Sequence, residues 1–136
     1  MKKFKFTERK DTRLNLVNWD KLGFGKYFAD YMFVSYYRNG KWDEGAIVPY
    51  GSFEIEPAMM TLHYGQTIFE GLKAYANING GINLFRPDMN AKRLNNSAKK
   101  LVIPEFPEDT FVEALKEVVY YNREFVPKKR GESLYL

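Results

Sequence analysis

Among side chains that do chemistry, this 136-residue chain offers one histidine, His63, and no cysteine. A multi-histidine metal site therefore cannot be assembled from it, and thiolate ligation is excluded outright. His63 stands among aromatic residues, where a hydrogen-bonded structural role is the simpler reading. Gly65 and Gly71 bracket an aromatic segment without spelling a dinucleotide fingerprint or a Walker loop, and both read as backbone fit. Glu70 has no second carboxylate at a diagnostic spacing, so paired acid–base chemistry on a glycoside has no foundation. Arg93 is the sharper candidate. A guanidinium stays charged and grips phosphate oxygens through two parallel N–H bonds, which a lysine cannot reproduce. Periodicity alone leaves Arg93 open between a solvated surface arginine and an anion clamp.

The elements that must position these residues follow from local signals. Residues 27–37 are rich in β-formers, and Asn39-Gly40 marks a two-residue hairpin because both central positions need positive φ. Residues 42–50 are the return strand, and 51–57 (GSFEIEP) alternate with period two as a further short strand ending at Pro57. Residues 58–69 read as a turn or irregular helix that leaves aromatic side chains facing a cavity. Strands over 70–76 and 82–85 flank the NINGG turn, and this second hairpin is expected to pair with the first. Asp88 is the expected N-cap of a helix whose Ala91, Leu94, Ala98 and Leu101 share one face, with Arg93 and Ser97 beside it. Pro104 closes that helix. A second helix opens at Pro107-Glu108-Asp109, buries Phe111, Leu115, Val118 and Val119, and stops at Pro127. Residues 1–22 show no periodicity and are expected to lie across the surface or against a neighbour. Residues 133–136 begin a strand that breaks off at Leu136, so the chain reads as an amino-terminal piece of a longer protein.

Composition bounds the rest. Hydrophobic residues make up 45% and aromatics 17%, with ten Tyr and eleven Phe, which specifies a globular chain with one core. The net charge of +4 gathers at the basic stretches 2–10 and 128–130, which read as a solvated tail and a basic turn. No basic helix face is interleaved with stacking aromatics, so nucleic-acid binding is not expected. No apolar run spans a bilayer and no signal-peptide core follows the basic start, so no membrane partner is expected and a cytoplasmic location is the default. The fold class is α+β, a mainly antiparallel sheet with two helices packed on it.

Four segments then carry a resemblance: FGKYFADYM (24–32), LHYGQTIFEGLKAY (62–75), LFRPDMNAKRLNNSA (84–98) and SLYL (133–136). In this order they resemble the fold-type IV pyridoxal-phosphate aminotransferases, and the branched-chain amino acid aminotransferases in particular. The resemblance implies an amino-terminal extension over residues 1–21 and the family's small amino-terminal domain over 22–136, truncated in its last strand. It implies pyridoxal 5'-phosphate as cofactor, held at its phosphate by Arg93. Phe24, Phe69 and Tyr135 match residues lining the pocket for a branched aliphatic side chain, which suits aromatic walls because they exclude water. Tyr64 matches a tyrosine donated across the interface of a homodimer. The implied reaction is ping-pong amino transfer between Leu, Ile or Val and 2-oxoglutarate. The Schiff-base lysine belongs to the family's larger domain and is expected beyond Leu136, so no catalytic residue is nominated here and the chain alone is expected to be inactive. The family's Arg-Pro after SLYL is likewise expected just past Leu136. Rival readings are a D-amino acid aminotransferase, an aminodeoxychorismate lyase, or a stand-alone binding domain without catalysis.

Overall fold

The computed structural model describes residues 3–136. Its centre is α3 (Glu108–Tyr121), which opens at Pro107 with Glu108 and Asp109 at the positive end of the helix dipole. Ala114 of this helix packs with Phe4 and Ile47 on one sheet. One turn on, Val119 packs with Val126 and Ala74 on another. One helix thus supplies part of both cores. Ile47 is fully buried, a contribution on the order of 2–3 kcal/mol for a side chain of its size.

The first sheet runs β1–β5–β2, from Lys5–Phe6, Ala46–Pro49 and Tyr31–Val34. β2 and β5 are antiparallel, whereas β1 adds in parallel with Phe6 opposite Ile47. Residues 5–6 therefore belong to the sheet, whereas from sequence the stretch 1–22 is expected to lie across the surface or against a neighbour. Phe4 is buried against Phe33, and Phe6 stacks on Tyr121. Asp30, buried, holds the following segment by accepting hydrogen bonds from the Thr12 hydroxyl (2.8 Å) and the Arg13 N–H (2.7 Å).

The Asn39-Gly40 turn forms as expected, both residues at positive φ, between β3 (Tyr37–Arg38) and β4 (Lys41–Trp42). The long expected strands are interrupted on either side of it. Asp43 draws N–H groups from Tyr36 and Gly45 (both 3.0 Å) and the Ser35 hydroxyl (2.8 Å), which breaks the ladder. The Tyr36 and Ser35 bonds hold the Asp43 carboxyl below its ordinary range. Residues 51–56 form no strand. Their alternation is real, but the segment pairs with none of the described strands, and Phe53 and Ile55 stay exposed.

The second three-stranded sheet has the order β7–β6–β8, from Ile82–Leu84, Lys73–Ala76 and Leu134–Tyr135. The NINGG hairpin is present, but it pairs with β8 rather than with the first hairpin. Leu136 follows β8 and exchanges two backbone hydrogen bonds with Leu72, its N–H donating at 2.9 Å and its carbonyl accepting at 3.2 Å. Its side chain packs against the core formed by Ala74, Val119 and Val126. The terminal segment that reads as an interrupted strand is thus paired through Leu136.

α1 (Met60–Tyr64) is a single short turn closed by Gly65 at φ 61, as the irregular reading of that stretch anticipated. α2 (Pro87–Lys100) starts two positions earlier than the expected Asp88 cap implies. Arg86, in the left-handed region, is its N-cap with Pro87 at the first helical position, and Asp88 lies inside the first turn. Its buried face is Ala91, Asn95 and Ala98, while Leu101 is exposed. The Asn95 amide exchanges two hydrogen bonds with the backbone of Phe106 and fixes the passage from α2 to α3. The architecture is α+β with antiparallel pairing in every sheet, as expected, but divided among three sheets.

Candidate functional site

The site is built where α2 passes the chain entering β6. Asn90 and Arg93 stand three apart on the helix and so face the same way. Both reach Glu70, whose side chain is only 8% exposed. Arg93 donates to it from Nε (2.5 Å) and Nη2 (2.8 Å), a two-pronged contact along one edge of the guanidinium. Asn90 Nδ2 donates to the same carboxylate at 2.7 Å and to the Gly71 carbonyl at 3.3 Å. The Arg93 hydrogen bond is the main cause holding the Glu70 carboxyl below its ordinary range, against burial, which pushes it up. Glu70 in turn pushes the guanidinium further up.

This contact leaves much of Arg93 unused. A guanidinium carries five N–H groups, and the Nε–Nη2 edge takes two. Among the described residues Nη1 has no acceptor, and the side chain is 65% exposed. The far end of the guanidinium, Nη1 with the second Nη2 proton, is free to make another two-pronged contact with an oxyanion.

Next to Glu70, Gly71 gives way to Tyr135 of β8. A Cβ at position 71 would lie 2.5 Å from the tyrosine hydroxyl, so the glycine leaves room for Tyr135 in its present place and is not there for its φ. Phe24 meets the same Tyr135 ring edge-on at 5.2 Å. It is presented by a turn in which Gly23 and Gly25 both have positive φ. Arg93, Tyr135 and Phe24 thus lie along one connected stretch of surface, through Glu70 and Gly71. Phe69 adjoins Glu70 in the chain and projects almost wholly into solvent, at 84% exposure. Leu136, the neighbour of Tyr135, takes no part in this surface: its side chain turns to the core and its backbone to Leu72.

Tyr64 stands apart. Its ring contact among the described residues is with His63, and it is largely exposed on α1. His63 itself donates to the Pro57 carbonyl (2.7 Å), in keeping with a structural role. Gln66 ties this segment to α2 through the Leu101 carbonyl (2.8 Å). Two open hollows lie elsewhere, one beside Met32, Val48 and Phe53, the other beside Tyr75 and Phe85, and neither contains Arg93. Sequence reasoning singled out Arg93 and considered Glu70 only as an unpaired acid, without joining either to Asn90. The usable signal was an acid flush against a glycine before a strand, followed by Asn and Arg three apart on the next helix.

Among the described residues no group of His, Asp and Glu is placed to hold a metal ion, and no helix is long and apolar enough to cross a membrane. No family model matches the chain. The chain is 48% identical, over 98% of its length, to a "Probable branched-chain-amino-acid aminotransferase" of Staphylococcus epidermidis. It is 47% identical over 85% of its length to "Branched-chain-amino-acid transaminase 1" of Bacillus subtilis. A branched-chain-amino-acid aminotransferase of Mycolicibacterium smegmatis is also 47% identical, over 84% of the chain. The chain spans about 37% of the length of the first of these relatives and 33% and 32% of the other two. These names weigh against the D-amino acid aminotransferase and aminodeoxychorismate lyase readings.

Proposed function

We propose that this chain, whose sequence falls within the branched-chain-amino-acid aminotransferase family, is the phosphate-anchoring and side-chain-selecting part of an enzyme that moves amino groups between Leu, Ile or Val and 2-oxoglutarate. Residues 22–136 act as the small domain and 1–21 as an amino-terminal extension, of which Lys5–Phe6 pairs with β5. The observation that carries the reading is the Arg93 guanidinium, anchored along one edge by Glu70 and open at its other end. That arrangement fits the phosphate of pyridoxal 5'-phosphate, which needs a permanent cation with parallel donors.

Bound pyridoxal phosphate supplies an aldehyde and an electron-withdrawing ring, which together let an amino acid give up its amino group. The work of this chain is binding and selection. Arg93 holds the phosphate end. Phe24, Phe69 and Tyr135 form an apolar wall that favours a branched aliphatic side chain over a polar one. Tyr64, exposed on α1, serves the site of a second copy in a homodimer. The reactive lysine comes from protein beyond Leu136, so the 136 residues alone bind cofactor non-covalently at most and do not transaminate. A cytoplasmic location accords with a soluble substrate and cofactor.

The test is amino transfer from each branched-chain amino acid to 2-oxoglutarate by the intact enzyme, followed by borohydride reduction and peptide mapping. The expected result is activity with all three amino acids and a pyridoxyl adduct on a lysine outside these residues. An intact enzyme that forms no adduct anywhere ends this reading.

A further inference from the structure

We propose that Glu70 is a positioning residue for the anion clamp: it holds the Nε–Nη2 edge of Arg93 so that the Nη1–Nη2 end is presented to the cofactor phosphate before the cofactor arrives. The inference rests on the phosphate-binding reading of Arg93 given above. Three observations carry it. Glu70 is nearly buried although it is charged, and both of its oxygens are engaged by Arg93. Asn90 adds a third bond to the carboxylate and a fourth to the adjoining Gly71 carbonyl, which fixes Glu70 against α2. The guanidinium is otherwise exposed, and without the carboxylate a long side chain on a helix surface would sample many rotamers.

Charge and order make opposite demands here. By charge alone, a carboxylate beside the clamp weakens its hold on a phosphate. By order, a pre-placed fork strengthens it, because the side chain is not immobilised at the moment of binding. The nearly buried Glu70 charge is already paired with the near edge of the guanidinium. The far end, where a phosphate would sit, is open to solvent screening, whereas the ordering cost falls fully on binding. Order therefore wins, and removing the negative charge weakens binding of an anion.

The experiment uses the intact enzyme stripped of cofactor and titrated with pyridoxal 5'-phosphate and, separately, with pyridoxal, which lacks the phosphate. Glu70→Gln keeps the shape but cannot accept both guanidinium bonds. It is expected to weaken pyridoxal phosphate by roughly three- to tenfold, the range for ordering one long side chain on binding. Its pyridoxal affinity stays at the wild-type value. Arg93→Ala loses the preference for the phosphorylated form, and the double variant is no worse than Arg93→Ala, because Glu70 acts only through Arg93. If Arg93→Ala leaves the preference intact, the phosphate-clamp reading itself fails. If Arg93→Ala behaves as expected while Glu70→Gln binds pyridoxal phosphate equally well or more tightly, only the positioning role is overturned. Equal weakening of both ligands marks a merely structural Glu70 and also overturns it. Should Glu70→Gln not fold, Asn90→Ala removes one anchor of the carboxylate and shifts the preference in the same direction by about twofold. An unchanged preference in that variant counts against the proposal.

Discussion

Asn122 is the polar side chain whose loss the fold should feel most. It is 1% exposed and ends α3, and both N–H groups and the oxygen of its amide are engaged. Oδ1 accepts the Tyr31 N–H (3.0 Å), while Nδ2 donates to the carbonyls of Tyr31 and Val118 (both 2.9 Å). β2 is the edge strand of its sheet and both backbone groups of Tyr31 face outward, so the asparagine satisfies them as a neighbouring strand would. Asn122→Ala strands both backbone groups of Tyr31 and frees one helix carbonyl. At about 1 kcal/mol for each of the three bonds, the loss is about 3 kcal/mol, a large part of the 5–15 kcal/mol that holds a typical domain. With a urea slope of about 1–3 kcal/mol/M, the midpoint falls by roughly 1–3 M while the slope itself is unchanged. Asn122→Asp sharpens the test. It keeps the acceptor for Tyr31 N–H but points a charged oxygen at two carbonyls, so it is expected to be no better than alanine. A loss below about 1 kcal/mol for Asn122→Ala would show that water takes over these bonds and that the edge argument is wrong.

Glu70 gives a pH prediction. Its folded-state carboxyl is held below the reference value of 4.5, chiefly by Arg93, so the pair's contribution is complete above that value and is lost as pH falls through the lower folded value. Carboxyl carbon NMR is expected to place its titration below 4.5 and to move it back up in Arg93→Gln; a midpoint unmoved by that change contradicts the assignment. Gly71→Ala should push Tyr135 away, since its hydroxyl would lie 2.5 Å from the new Cβ, with a cost of about 1–3 kcal/mol and shifted Phe24 ring signals. Tyr135→Phe removes the clashing oxygen and is expected to recover part of that stability; no recovery places the clash elsewhere. At the end of α2, Val102 has φ 54 and is 86% exposed. Ile103 N–H bonds back to the Ala98 carbonyl, the pattern that favours glycine at position 102, so Val102→Gly is expected to raise stability by about 0.5–1 kcal/mol in thermal unfolding.

The features legible from the sequence were those specified within a few residues. Asn39-Gly40, the NINGG turn, the start of α3 and the glycine closing α1 all carry their own conformational reason, and all are in place. What could not be read depends on partners far along the chain. Residues 51–57 alternate like a strand, but alternation says nothing about whether an edge is free to receive them. Phe4 and Phe6 enter the core because β5, some forty residues on, lies beside them. Leu136 likewise finds its backbone partner in Leu72, which nothing local to residues 133–136 announces. The choice of Asp88 rather than Arg86 as N-cap was a local misreading: Pro87 takes the first helical position, which puts the cap two residues earlier, at Arg86. The site divides in the same way. Arg93 stood out by its type, whereas its partner Glu70 is 23 residues away and was visible only once β6 and α2 were placed side by side.

That partnership also limits what the clamp achieves in the open. Paired with a carboxylate and mostly exposed, Arg93 attracts a phosphate with little net charge, and water and salt screen what remains. The advantage of a fixed fork grows when water is excluded, because each N–H bond to the phosphate then meets less competition. The exposed rings of Phe24 and Phe69 bear on the same point, since an apolar wall discriminates between side chains only when it is covered. Under the aminotransferase reading, both the cationic end and the aromatic wall therefore need protein from outside this chain to close over them. The prediction that follows is that phosphate preference and side-chain selectivity arise together in the intact enzyme, and that the same 136 residues produced alone show neither. A chain that preferred pyridoxal phosphate over pyridoxal by itself would show that the fork suffices in open water.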